Sequence, residues 1–155
     1  MPRELSQGEA DMLIALKKEA QREERINLPT GGESLDVPLL STNRREKFVL
    51  GIWRARRKLS KMTLTNRGRE IIMLVRLDLD GAPHTNHYHN DHYPDEETIG
   101  CPHLHVYREG YGDTLAILPP QDVFRDLSDP YAALEDFMQY CNVVRFPIIE
   151  RELFP

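Results

Sequence analysis

The stretch from Glu70 to Leu79 constrains this chain most. Ile71, Met73, Val75, Leu77 and Leu79 recur at every second position, with Arg76 and Asp78 on the other side and Asp80 just beyond. Period-two alternation predicts a strand with one buried face. Lys58 to Thr65 alternates as well, with Met62 and Leu64 opposed to Lys61, Thr63 and Thr65. Only Asn66 to Arg69 separates the two runs, and Asn66-Arg67-Gly68 is turn chemistry. So short a connection admits only antiparallel neighbours.

Further elements surround this hairpin. Ser6 caps a first helix and Glu9 completes a capping box, with Ala10, Leu13, Ile14, Leu16 and Ala20 on its apolar face and Arg22 to Glu24 at its end. Leu35 to Leu40 reads as a strand, at an edge because of Pro38. Lys47 to Arg54 is another. Ala82 to Gly100 reads as a polar loop, His103 to Arg108 and Thr114 to Leu118 as strands. Asp129 caps a second helix with Pro130 at its first position, and Leu134, Phe137, Met138 and Cys141 form its buried stripe. The expectation is one α+β domain over residues 1–155. It has a five- to seven-stranded, mostly antiparallel sheet, with an N-terminal and a C-terminal helix packed on it.

Composition narrows the function classes. Of 155 residues, 40% are hydrophobic and 29% charged, as in a folded globular domain. The longest apolar run, Ile71 to Val75, is too short for a membrane span. Met1-Pro2-Arg3-Glu4 does not read as a secretory signal, and two cysteines without a CxxC suit a reducing compartment, so a cytoplasmic location is expected. Walker, GxGxxG and GxSxG motifs are lacking, which argues against nucleotide-dependent and serine-hydrolase chemistry. The net charge of −5 conceals a basic stretch of Arg44, Arg45, Lys47, Arg54, Arg56, Arg57, Lys58, Lys61, Arg67 and Arg69, with Glu46 its only acid. Such a field attracts polyanions, and a solvated charged face is the plainer alternative.

All six histidines fall between His84 and His105. His87-Tyr88-His89-Asn90-Asp91-His92 matches the HxHxDH signature of metallo-β-lactamase-fold hydrolases. That fold needs a longer chain and further ligands downstream, and no histidine follows His105. His87, His89 and His92, with Cys101, remain a candidate zinc or nickel loop. His103 and His105 are more informative. Strand alternation opposes them, with Tyr107, to Leu104 and Val106. Two imidazoles and a phenol on one face make an acid–base set, which His84 can approach, or a metal site completed by Cys101 or His84.

Pro83-His84-Thr85-Asn86 and the segment CPHLHVYREGYGD from Cys101 to Asp113, together with the basic strands, resemble an uncharacterised bacterial family catalogued as a domain of unknown function. The resemblance runs from the first helix through Tyr140-Cys141-Asn142. It implies no activity, but it places weight on His84, His103 and His105 rather than on the loop histidines.

The leading expectation is a protein that binds single-stranded RNA and cuts it without metal, as in a bacterial toxin–antitoxin or phage-defence system. His103 and His105 act as base and acid, His84 as a substitute, and Tyr107 orients one of them. Trp53, Arg54, Arg56, Lys58, Arg67, Arg69 and Arg108 supply stacking and phosphate contacts. The alternative is a non-catalytic module that grips a nucleoprotein or a protein partner, as a phage or mobile-element inhibitor or an accessory subunit would. A zinc- or nickel-binding protein is the third reading.

Overall fold

A computed structural model describes residues 4–21, 23, 25–89 and 96–151. In chain order the elements are α1 (Gln7–Ala15), β1 (Lys18–Ala20), β2 (Arg25–Asn27), β3 (Ser34–Ser41), β4 (Lys47–Arg54), β5 (Met62–Gly68), β6 (Ile72–Leu79), β7 (His84–Asn86), β8 (Glu97–Ile99), β9 (His103–Val106), β10 (Ala116–Ile117), α2 (Pro130–Tyr140), β11 (Val143–Arg145) and β12 (Ile148–Glu150). Eight strands form one sheet in the order β10-β9-β6-β5-β4-β3-β1-β11. Every pairing in it is antiparallel except β1 with β11. The fold is therefore α+β as expected, with a larger sheet.

The enlargement comes from the segment after α1. The helix ends at Ala15, and Lys18–Ala20 becomes a strand between β3 and β11. Lys18 reads as a polar helical residue, yet it is fully buried. Its ammonium donates to the carbonyls of Ile14, Leu16 and Cys141 at 2.8, 2.9 and 2.7 Å and lies over the Phe48 ring. β3 is an edge only around Pro38, because β1 covers Leu39 to Ser41. Ala82 to Gly100, expected as loop, contains the β7–β8 hairpin.

The β5–β6 pairing exists, but its turn sits further along. Asn66, Arg67 and Gly68 remain in β5, and Arg69 and Glu70 make the turn at φ 51° and 70°. Gly68 serves packing, since a Cβ there would lie 2.7 Å from the Leu74 side chain. Opposite Asn66 and Arg67 the register slips, pairing Asn66 with Val75 and Arg67 with Met73. The extra residue Leu74 is buried, as is Val75, so the alternation changes phase at this bulge. Ile72, Leu74, Val75, Leu77 and Leu79 face the core, whereas Ile71 is exposed and Met73 half-buried.

Both helices cover the same side of the sheet. Ala10 and Leu13 of α1, and Ala133, Leu134, Phe137 and Met138 of α2, share one core with Leu50, Ile52, Leu64, Leu77 and Leu104. Among the described residues the opposite face carries no helix. Across it run two rows of registered residues. One is Trp53, Thr63, Asp78 and His103; the other is Gly51, Thr65, Arg76 and His105. Gly51 makes room in the second row, since a Cβ there would sit 2.3 Å from the Thr65 hydroxyl.

Candidate histidine–aspartate centre

The register between β6 and β9 builds the centre: it sets Asp78 beside His103 and Arg76 beside His105. The hairpin from β7 closes over them. Asn86 imitates a strand partner, donating to the Ala116 carbonyl at 2.8 Å and accepting from its N–H at 2.7 Å. His84 Nε2 donates to the Thr114 carbonyl at 2.7 Å. Both anchors come from the Pro-His-Thr-Asn stretch, and they lay the His84 ring on the other two. The ring centres of His84 and His105 are 4.7 Å apart, those of His103 and His105 5.1 Å, and those of His84 and His103 5.8 Å. The expected approach of His84 to the HxH strand therefore occurs.

Hydrogen bonds fix the rings. A carbonyl can only accept, so His105 Nδ1, 2.8 Å from the Asp113 carbonyl, carries the proton. Its Nε2 accepts from Arg76 Nη2 at 3.0 Å. His103 Nδ1 faces the Gly100 carbonyl at 3.3 Å, and its Nε2 lies 3.2 Å from Asp78 Oδ2. Asp78 Oδ2 is the focus, receiving Arg76 Nε at 3.2 Å and lying 3.4 Å from His105 Nε2, while Oδ1 accepts from Thr63 at 2.9 Å. Arg76 also pairs with Asp113 at 3.0 Å. His105 is 0% and His103 4% exposed, and His84 is half-buried. Burial opposes the charge on Asp78. The Arg76 guanidinium and the Thr63 hydroxyl outweigh it and hold the carboxyl well below the usual carboxylate range. Burial pushes the His103 pKa down, against the pull of Asp78.

A cavity of about 210 Å³ opens beside His103, walled in part by Lys61, Thr63, Asp78 and Cys101. A second, of about 390 Å³, is lined by His84, His87, His89 and Tyr111. Among the described residues, only Asp78, His103 and His105 bring three metal-type ligand atoms within 4.8 Å of one another. That cluster could hold a metal. Of the loop ligands, His87 pairs with Glu96 at 2.8 Å, His89 stacks on Tyr111 with centres 4.1 Å apart, and His92 lies outside the described residues. Cys101 donates to the Asp78 carbonyl, and burial, reinforced by Asp78, raises its thiol pKa.

Tyr107 leaves the histidine face. β9 ends at Val106, and Tyr107 joins the core, where its hydroxyl accepts from Leu5 N–H at 2.8 Å and donates to the Leu5 carbonyl. The basic residues divide as well. Trp53, 38% exposed, shares a row with His103. Arg54 bonds the Leu59 carbonyl, Arg56 lies exposed in the β4–β5 connection, and Lys58 pairs with Asp80 at 2.9 Å. Arg67 pairs with Asp36 at 2.9 Å, and Arg69, at the other end of the hairpin, with Glu46 and Glu9. Arg108 is exposed in the turn closed by Gly112. Acids outside the basic stretch thus pair with Lys47, Lys58, Arg67 and Arg69, alongside Glu46 within it.

Sequence reading passed over Arg76, Asp78, Asp113 and Thr63. Their signal was the off-core parity of β6, where two charged residues interrupt an apolar strand at adjacent even positions. Among the described residues no helix is long and apolar enough to cross a membrane. Neither the curated proteins nor the solved structures include a match to the chain. A family model described as a family of unknown function, DUF6978, matches residues 5–143, and the chain belongs to that family.

Proposed function

We propose that the protein binds single-stranded RNA along the helix-free sheet face and cuts it at the imidazole centre without metal, as a small toxin or phage-defence endoribonuclease would. The observation that carries this reading is the packing of three imidazoles with ring centres 4.7–5.8 Å apart, one of which, His103, lines a cavity walled by Lys61. The roles shift from the simplest pair. His105 is fully sealed whereas His103 lines the cavity, so His105 holds Arg76 and Asp78 in place. His103 and His84 exchange the protons. One takes the 2′-hydroxyl proton, the 2′-oxygen attacks phosphorus, and the other protonates the departing 5′-oxygen, which leaves a 2′,3′-cyclic phosphate. Trp53 stacks a base, and Lys61, Arg54 and Arg56 attract the backbone.

Burial of His103 favours the second reading, a non-catalytic RNA- or nucleoprotein-binding module. The deciding experiment incubates the protein with single-stranded RNA in chelator. Cyclic-phosphate ends, and no cleavage when the 2′-oxygens are methylated, are expected. Salt-sensitive binding without any cleavage would select the binding module, and no binding at low salt would defeat both.

A further inference from the structure

We propose that Asp78 Oδ2, His103 Nε2 and His105 Nε2 form a binding site for a divalent cation of the zinc class, guarded by Arg76. The spacing supports it. Oδ2 lies 3.2 Å from one Nε2 and 3.4 Å from the other. Metal–ligand bonds of about 2.0–2.1 Å in a tetrahedron put neighbouring ligand atoms about 3.3 Å apart. The outer contacts support it too. Each imidazole turns its Nδ1 to a backbone carbonyl, Gly100 for His103 and Asp113 for His105. Donation of one ring nitrogen to a carbonyl leaves the other as a lone pair, which is how ligating histidines are held. Two lone pairs and a carboxylate then face one another, an arrangement that calls for a cation.

The Arg76 guanidinium meets that demand at present, with Nε on Asp78 at 3.2 Å and Nη2 on His105 at 3.0 Å. Its third contact, to Asp113 at 3.0 Å, does not involve the ligand atoms. Arg76 can therefore swing off the centre while keeping that pair. His84, with Nε2 committed to Thr114, stays outside, so the fourth metal position is left for water or a phosphate oxygen. All three ligands stand on the paired strands β6 and β9, so the site is preformed. It differs from the His87, His89, His92 and Cys101 loop site that the sequence suggests. Metal binding is read directly, whether or not the chain cuts RNA; under the cleavage reading a bound metal would occupy His103 Nε2 and inhibit the reaction.

The test titrates the tag-free protein with Zn²⁺ by calorimetry and with Co²⁺ by visible absorption. One metal per chain and the intense bands of tetrahedral cobalt are expected. Asp78→Asn should weaken binding by more than the 10–100-fold that loss of an outer-shell partner costs. Arg76→Ala should tighten it about ten-fold, since one charge-assisted contact no longer competes. His87→Ala and His89→Ala should leave it unchanged. Circular dichroism checks that the variants fold, and Arg76→Ala keeps the test decisive if Asp78→Asn does not. Absence of binding in both wild type and Arg76→Ala overturns the proposal. So do weak octahedral cobalt bands, or binding that survives Asp78→Asn and vanishes in His87→Ala.

Discussion

The two groups of histidines occupy opposite structural situations. His87 and His89 belong to the most histidine-dense stretch of the chain, yet His87 is 70% exposed at its side chain and paired with Glu96, and His89 lies on Tyr111. His103 and His105 are two residues apart on a strand, and the neighbouring strand supplies a carboxylate and a guanidinium to the same point. Density in sequence does not make a site. A rigid register that turns several ring nitrogens toward one atom does, because preorganisation rather than residue count decides whether ligands or acid–base groups act together.

The largest expected consequence lies in activity. Under the cleavage reading, His103→Ala or His84→Ala lowers the rate by roughly 10²–10⁴, the span of a general acid or base. His87→Ala and His89→Ala should leave it within a factor of about two, as surface changes away from the chemistry do. Single-turnover cleavage of a labelled RNA measures both. Equal losses in the two groups would erase the contrast and make His87 and His89 part of the site.

Stability should separate the groups next. His105→Ala removes a buried ring with two hydrogen bonds and leaves Arg76 short of a partner, at a cost of about 2–4 kcal/mol. His87→Ala should shift stability by no more than about 0.5 kcal/mol, since an exposed ion pair contributes little. Urea midpoints read this directly. A mild effect at His105 would mean that the centre is assembled by binding rather than by folding.

How far this contrast was legible depends on the element. β4 was readable at both ends, because Phe48, Val49, Leu50, Ile52 and Trp53 form a β-prone run interrupted only by Gly51. α2 was readable from Asp129, Pro130 and its apolar stripe. His84 could be placed near His105 because the chain must return to β9. The phase change at Leu74 was not readable, since apolar residues fill both parities there and only pairing reveals the bulge. Lys18 was not readable either. Its burial depends on a carbonyl from Cys141, far along the chain, and it lowers the lysine pKa to about 8. Asp78 had the right parity, but its partners come from β9 across the intervening hairpin.

The smallest expected effect is acid sensitivity, and it also distinguishes the groups. The folded state holds His103 below its ordinary pKa of 6.5 through burial, so the unfolded chain binds that proton more readily. Stability from this group is complete above pH 6.5 and declines as pH falls toward the folded pKa. Asp78 behaves in the same sense at lower pH. Its folded pKa is depressed from 3.8, so its contribution is present above that value and is lost as pH falls further. Both losses run in the acid direction, one starting near pH 6.5 and one below about 4. Urea midpoints measured in chelator should therefore fall in two stages. His103→Gln should remove the upper stage, because a neutral amide has no proton to gain, and Asp78→Asn should flatten the lower one. His87→Ala should leave both stages in place, since its ring is solvated in the folded and unfolded chain alike. An upper stage that persists in His103→Gln would assign that titration to another imidazole.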